Sequence, residues 1–302
     1  MVNGEISIYT SLIFYFCLNY IGDNMFDLFM YEWFLLILSL IVLGISCYTD
    51  VRTREIPDWA SWGLVVGALG IRFIASFFVG WDVLLEGVLG FFAMGLLGLL
   101  MYYTHQWGGG DAKLLFGFGI VVGVSYPFSL ASILILLFVF ALFIGGAIWG
   151  LVWMGYEASV HRGFRRAFVN RVFEFRRIVL LIMGISLVGM ILFGLLGWYY
   201  LLPFVIFVPL MMLLFFFVKT VETECFIREI PVKDVTEGDW LCEPIRIGSV
   251  VVDSRTLSLD DLETIRKLYR EGKVTKVKVK YGVPFAPAFV IAYGVVLWLK
   301  YH

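Results

Sequence analysis

Two carboxylates stand out by their setting. Asp50 follows a long apolar run and heads the stretch Asp50-Val-Arg-Thr-Arg-Glu-Ile-Pro-Asp-Trp59, while Asp111 follows three glycines in Trp107-Gly-Gly-Gly-Asp-Ala-Lys-Leu114 and precedes another apolar run. Two carboxyl groups held together in a poorly solvated cleft share one proton, because each charge disfavours the other. The ionised member can take a proton from water as that water attacks a peptide carbonyl, and the protonated member can polarise the carbonyl. That is aspartyl protease chemistry, and it requires neither metal nor organic cofactor. Gly108, Gly109 and Gly110 would let a substrate strand approach the backbone closely. Taken singly, each aspartate also fits a plainer role as helix cap or solvated loop acid; the pair is what makes them candidates. Glu55, Pro57, Asp58 and Lys113 are the supporting candidates around them. Glu55 and Asp58 are also the competing acids, and their place in the loop after Asp50 reads as shaping it or pairing with Arg52 and Arg54.

The elements that must position these residues are membrane helices. With 302 residues, 61% apolar and 18% aromatic, and a mean hydropathy of +0.91, a soluble globular protein is excluded. A formal charge of -1 gives no basic field, so nothing points to nucleic acid as a partner. Cys17, Cys47, Cys225 and Cys242 are scattered without a C-x-x-C pair, which indicates neither a disulfide framework nor a zinc site. Apolar runs predict eight spans near 33–48, 59–79, 83–103, 112–126, 128–154, 178–198, 200–218 and 284–300. The hydrophobic stretch 5–21 lacks the basic flank of a secretory signal, and residues 1–29 read as an extension or a ninth helix.

Residues 219–283 hold half of the chain's acidic residues and just over half of its basic ones, and long apolar runs stop there. They predict a small α+β domain inserted before the last helix. Ser258-Leu-Asp-Asp261 opens a helix over about 259–271 that Gly272 ends. Val277, Val279 and Tyr281 alternate with lysines as a strand does, and 245–247 and 250–252 are further short strands. The expected architecture is thus an all-α polytopic membrane protein, with a catalytic domain at 30–218, the small domain at 219–283 and the last span at 284–302.

Other features read as structure. Arg72 lies deep in a span, and Asp82 or Glu86 could pair with it. Gly63 and Gly67, and glycines 87, 90, 95 and 98, suit close helix packing. His105 has no visible second ligand. Trp198, Tyr199 and Tyr200 fit an interfacial belt. The six arginines of 162–177 read as contacts for anionic lipid headgroups or as topology determinants.

The residues around the two aspartates resemble a family. Asp50 to Trp59, followed by Gly108-Gly-Gly-Asp-Ala-Lys-Leu114, looks like the type IV prepilin peptidases, and most like their archaeal branch, the preflagellin peptidases. Gly108-Gly109-Gly110-Asp111 fits the GxGD signature. Val283-Pro-Phe-Ala-Pro-Ala288 resembles the motif that opens the family's last helix, with Ala286 where bacterial members usually have glycine. The resemblance covers roughly 30–300. It implies that Asp50 and Asp111 are catalytic, and that the substrates are archaellin or type IV pilin-like precursors whose short basic leader is removed at the cytoplasmic face. Bacterial members also N-methylate the new terminus and carry a paired-cysteine zinc module; this chain has no such cysteines, which implies cleavage alone, with no cofactor.

Two readings from other classes stay open. An intramembrane protease resembling presenilins would share GxGD, but there a Tyr-Asp motif lies deeper in its helix, whereas here Thr49 precedes Asp50 and Arg52 and Arg54 follow at once. A proton- or cation-coupled transporter would also use paired carboxylates, usually near the midplane and within repeats, and no repeat is visible here.

Orientation follows from basic residues in short loops. Arg52 and Arg54, Lys113, and the arginines of 162–177 fall on one side of the alternating spans, and the opposite connections have no Lys or Arg. The basic side, with both aspartates and 219–283, is expected to face the cytoplasm across a cell membrane, which the preflagellin peptidase resemblance implies to be archaeal. Membrane-impermeant thiol labelling of intact cells should therefore miss Arg54→Cys, Arg165→Cys and Lys273→Cys and reach His302→Cys. Labelling of the first two from outside would invert the topology.

Overall fold

The computed structural model describes residues 30–104, 106–129, 132–247, 250–253 and 256–302. The extension or ninth helix expected at 1–29, Cys17 and His105 lie outside the described residues. The described chain is mostly helical. Among the described residues, six helices are long and apolar enough to cross a membrane: α1 (Met30–Thr53), α2 (Asp58–Ser76), α3 (Asp82–Tyr103), α5 (Ile133–Val160), α7 (Arg176–Leu195), and α8 (Leu202–Glu224) with the turn before it. At the two remaining expected spans, 112–126 and 284–300, the helices are shorter: α4 (Gly109–Val122) has 14 residues and α10 (Ala286–Tyr301) has 16. The basic segment forms α6 (Phe164–Glu174).

The chain divides into two compact units. One holds the described residues up to Gly150 together with Pro284–His302, and the other holds Leu151–Val283. This division falls at 150, whereas composition suggests a boundary at 218, because α7 and α8 group with the segment that follows them.

In the first unit, Leu35, Ser39, Val42, Leu43, Ser46 and Asp50 are buried at helical spacing along one face of α1. Ser39 Oγ donates to the Tyr293 hydroxyl on α10 at 2.9 Å. The helix with most of its surface covered is α4, packed against α2 and α3. Leu114, Leu115, Phe118 and Ile120, on several of its faces, are fully buried. Close approach requires glycine: a Cβ on Gly90 of α3 would lie 2.0 Å from the Gly119 carbonyl oxygen, and one on Gly117 would lie 2.6 Å from Leu64 of α2. Gly67 similarly meets Leu38 at 2.8 Å, but Gly63 faces open space, so the expected Gly63/Gly67 packing pair reduces to Gly67.

A 14-residue helix is only about 21 Å long, short of the roughly 30 Å hydrocarbon core. Its C-terminal carbonyls would be costly if orphaned at that depth. Arg72, 4% exposed, answers this: Nη2 donates to the Val121 carbonyl at 3.2 Å and Nη1 to the Val83 carbonyl at 2.8 Å. Glu86 is the acid that reaches the guanidinium, at 3.7 Å.

In the second unit, α7 buries no residue and α8 buries only Phe216, Thr220 and Val221. Helices apolar on all sides need an apolar medium around them, which is what a bilayer supplies. After α8, β1 (Ile227–Pro231), β2 (Trp240–Leu241) and β5 (Lys276–Lys280) form an antiparallel sheet ordered β1-β5-β2, and β3 (Ile245–Ile247) pairs with β4 (Val250–Val252). Helix α9 (Leu259–Arg270) starts at a Ser258/Asp261 capping box, and Gly272, at φ +72°, follows its end. Leu262, Ile265, Val277 and Val279 share its small core. Burial pushes the Cys225 and Cys242 thiols up, as for unreactive sulfhydryls.

The glycine contacts predict that Gly90→Ala or Gly119→Ala will destabilise the protein by at least about 1–3 kcal/mol, because backbone cannot move aside as a side-chain tip can. Gly63→Ala should be neutral or stabilising by up to about 1 kcal/mol, from helix propensity. Thermal unfolding midpoints in one detergent check this; equal shifts for all three would contradict the packing described.

Candidate active site

The site begins with the buried face of α1. Its last member is Asp50, 6% exposed. The Asp50 Oδ2 accepts the backbone N–H of Ala286 at 2.8 Å, and the N–H of Phe285 also acts on this carboxylate. Ala286 is the first residue of α10, so Asp50 caps the positive end of that helix, where orphan N–H groups favour an anion. The chain then leaves α1 through Arg54, held at φ +62°, a left-handed conformation uncommon for a residue with a Cβ. The Arg54 charge acts on Asp50.

Only residues 54–57 connect α1 to α2. Pro57 is extended and N-caps α2, its carbonyl accepting from Ala60 at 3.0 Å. Asp58 in the first turn pairs with Lys113 of α4 at 2.5 Å. This corrects the expectation that Asp58 pairs with Arg52 or Arg54; Arg52 instead donates to the Tyr48 hydroxyl at 2.5 Å. Tertiary proximity to α4 outweighs nearness in sequence. Glu55 is exposed at the tip of the loop.

Asp111 stands at the third position of α4, after the N-cap Gly108, and the Gly108 backbone N–H acts on its carboxylate. Asp111 thus stands in the first turn of α4, where the helix dipole favours a carboxylate, and the Asp50 charge also acts on it. The fold thus brings the two candidate acids within electrostatic range of each other, from helices separated by sixty residues of sequence.

The three glycines differ. A Cβ on Gly110 would lie 2.9 Å from the Ile56 Cβ, so this glycine makes room for the α1–α2 loop. On Gly108 it would lie 3.5 Å from Asp111 Oδ2, and on Gly109 3.6 Å from Tyr102, both ordinary contacts. Sequence reasoning assigned all three to substrate access. At Gly110 the space is already taken by Ile56, which is buried.

Residues 284–286 and Trp107 enter the site without having been assigned chemistry from sequence. The Trp107 ring lies 5.1 Å from Phe285 and 5.8 Å from Phe143. Trp149 Nε1 donates to the Pro284 carbonyl at 2.8 Å. Together they fix the turn that presents the Ala286 N–H to Asp50. The only sequence signal was the likeness of 283–288 to a family motif; no local pattern says which side chain a backbone N–H will meet. Among the described residues, no cluster of three His, Cys, Asp or Glu side chains could hold a metal ion.

Residues 35–151 match the model of the type IV leader peptidase family. This is the family that the two motifs resemble, and the matched segment contains Asp50, the α1–α2 loop, the three glycines and Asp111. The match covers less than half of the 302 residues, and within it the chain is similar to that family. No match to a curated protein or to a solved structure was found.

The Ala286–Asp50 bond separates two substitutions. Asp50→Asn can still offer an oxygen to the Ala286 N–H, whereas Asp50→Ala leaves a fully buried donor unsatisfied, a loss of about 1–3 kcal/mol. Asp50→Ala should therefore melt clearly below Asp50→Asn. Identical midpoints would mean that this bond does not hold α10.

Proposed function

We propose that Asp50 and Asp111 are the catalytic dyad of a membrane aspartyl endopeptidase that removes the short basic leader from archaellin or type IV pilin-like precursors. The observation that supports this reading is that Asp50 of α1 and Asp111 of α4 lie within electrostatic range of each other, both inside the segment that matches the leader peptidase family. The hydrogen bonds suggest a division of roles. Asp50 receives the Ala286 N–H on one carboxylate oxygen, which holds it in place as the base that takes a proton from the attacking water. Asp111 holds the proton and polarises the scissile carbonyl. Proton positions exchange as the tetrahedral intermediate collapses and the leaving amine is protonated.

The substrate class follows from where the acids lie. Both stand at helix ends, Asp50 one turn from the end of α1 and Asp111 in the first turn of α4. A precursor with a hydrophobic helix among these spans and a basic leader in cytoplasmic water would present the bond between them at that depth. Asp58, paired with Lys113, is poorly placed to receive the leader's charge; Glu55, exposed on the loop, is better placed. Cleavage without N-methylation is supported by the four-residue connection 54–57, which has no room for a zinc module. Location at the cytoplasmic face and the 219–283 domain on the same side rest on the distribution of basic loops.

A cleavage assay on precursors with basic leaders tests the reading. Asp50→Asn and Asp111→Asn should each lower the rate by two or more orders of magnitude, since each removes a proton-exchanging group. Asp58→Asn should fall by less than about tenfold, because the exposed Lys113 pair contributes at most about 1 kcal/mol. Near-normal cleavage by either dyad variant would remove that residue from the chemistry.

A further inference from the structure

The turn before α6, α6 itself and the start of α7 carry Arg162, Arg165, Arg166, Arg171, Arg176 and Arg177 against one acid, Glu174. In a folded protein such a run is usually compensated by carboxylates. Here, among the described residues, Arg162, Arg165, Arg166 and Arg177 have neither a hydrogen-bond nor an ion-pair partner. Arg176 lies over the Phe173 ring, 4.5 Å from its centroid. The helix buries no residue, although Phe164 packs on Phe217 of α8 at 5.6 Å. On another face Val169 and Phe173, 56% and 63% exposed, stand among the arginines. Exposed apolar side chains interleaved with unpaired cations fit the boundary between headgroups and acyl chains.

The neighbouring surface continues this pattern. A cleft of about 570 Å³ runs between α6, α7 and α8, with Arg171, Lys219 and one acid, Glu174, at its lining beside apolar walls of Phe175, Ile178, Met212 and Phe216; Lys219 pairs with Glu222, which leaves Arg171 as the cation without an acid partner. Arg171 is oriented by a 3.2 Å hydrogen bond to Thr223. Cation beside apolar wall is the complement of a phosphate ester joined to an acyl chain. Helices α7 and α8, apolar on all sides, bring the same bilayer alongside.

We propose that α6, with the cleft it forms with α7 and α8, is a binding surface selective for anionic phospholipid. Headgroup phosphates lie against the unpaired arginines, Val169 and Phe173 enter the acyl boundary, and one acyl chain occupies the cleft beneath Arg171. The surface is independent of the Asp50/Asp111 assignment.

The test uses the full-length protein in phosphatidylcholine nanodiscs containing trace spin-labelled phosphatidylglycerol or spin-labelled phosphatidylcholine. Electron paramagnetic resonance reads the motionally restricted fraction of each. Wild type should favour the anionic lipid by about threefold or more, and about 1 M salt should reduce that preference towards unity. Combined Arg162→Gln, Arg165→Gln, Arg166→Gln, Arg176→Gln and Arg177→Gln should abolish it, while Arg246→Gln should not. Equal restriction of the two lipids by wild type overturns the proposal, as does a preference that survives salt. A preference kept by the folded combined variant overturns the assignment to α6; should that variant not fold, the salt titration of wild type decides.

Discussion

The arrangement of the first unit depends on burying a helix that is too short to cross a bilayer by itself. Helix α4 offers 14 residues, and its two ends must carry polar groups at depths where water is scarce. The solution is to cover it with protein. Glycines 90, 117 and 119 let α2 and α3 approach to backbone contact, and Arg72 takes the carbonyl end. At the other end Asp111 stands in the first turn, where the helix dipole favours a carboxylate. The same enclosure that satisfies α4 sets Asp111 where the Asp50 charge reaches it.

The second constraint concerns Asp50. A buried carboxylate is expensive unless donors receive it. The start of α10 supplies them through Ala286 and Phe285, and aromatic packing of Trp107, Phe143 and Phe285 keeps that start in place. Residues near the end of the chain thus complete a site whose two acids lie in its first half. The family match ends at 151, and this completing contact comes from outside it. The stabilising bond and the proposed division of proton roles have one origin, since the donor that makes burial tolerable also holds Asp50 in place.

The second unit follows a different physics. Its hairpin α7–α8 has almost no buried surface of its own, whereas the α+β part beyond it has an ordinary small core of valines, leucines and isoleucine. Before both in the chain comes the arginine-bearing α6, whose arginines have no acid partner among the described residues.

What the sequence determined is what local physics determines. Helix α9 and its ends were legible because a capping box, an apolar period and a terminal glycine lie within fifteen residues; β5 was legible from strict alternation. Long spans were legible from hydrophobic length, and Asp50 and Asp111 from the rarity of acids at span ends. Tertiary structure decided the rest. It made Glu86 rather than Asp82 the partner of Arg72, and Lys113 rather than Arg52 or Arg54 that of Asp58. Packing also gave Gly110 to Ile56, left Gly63 facing open space, and brought the Ala286 N–H to Asp50 across 236 residues. Each of these joins helices distant in sequence, and the choice between equally suitable partners is made by which helix faces meet, a property of packing that no local pattern encodes.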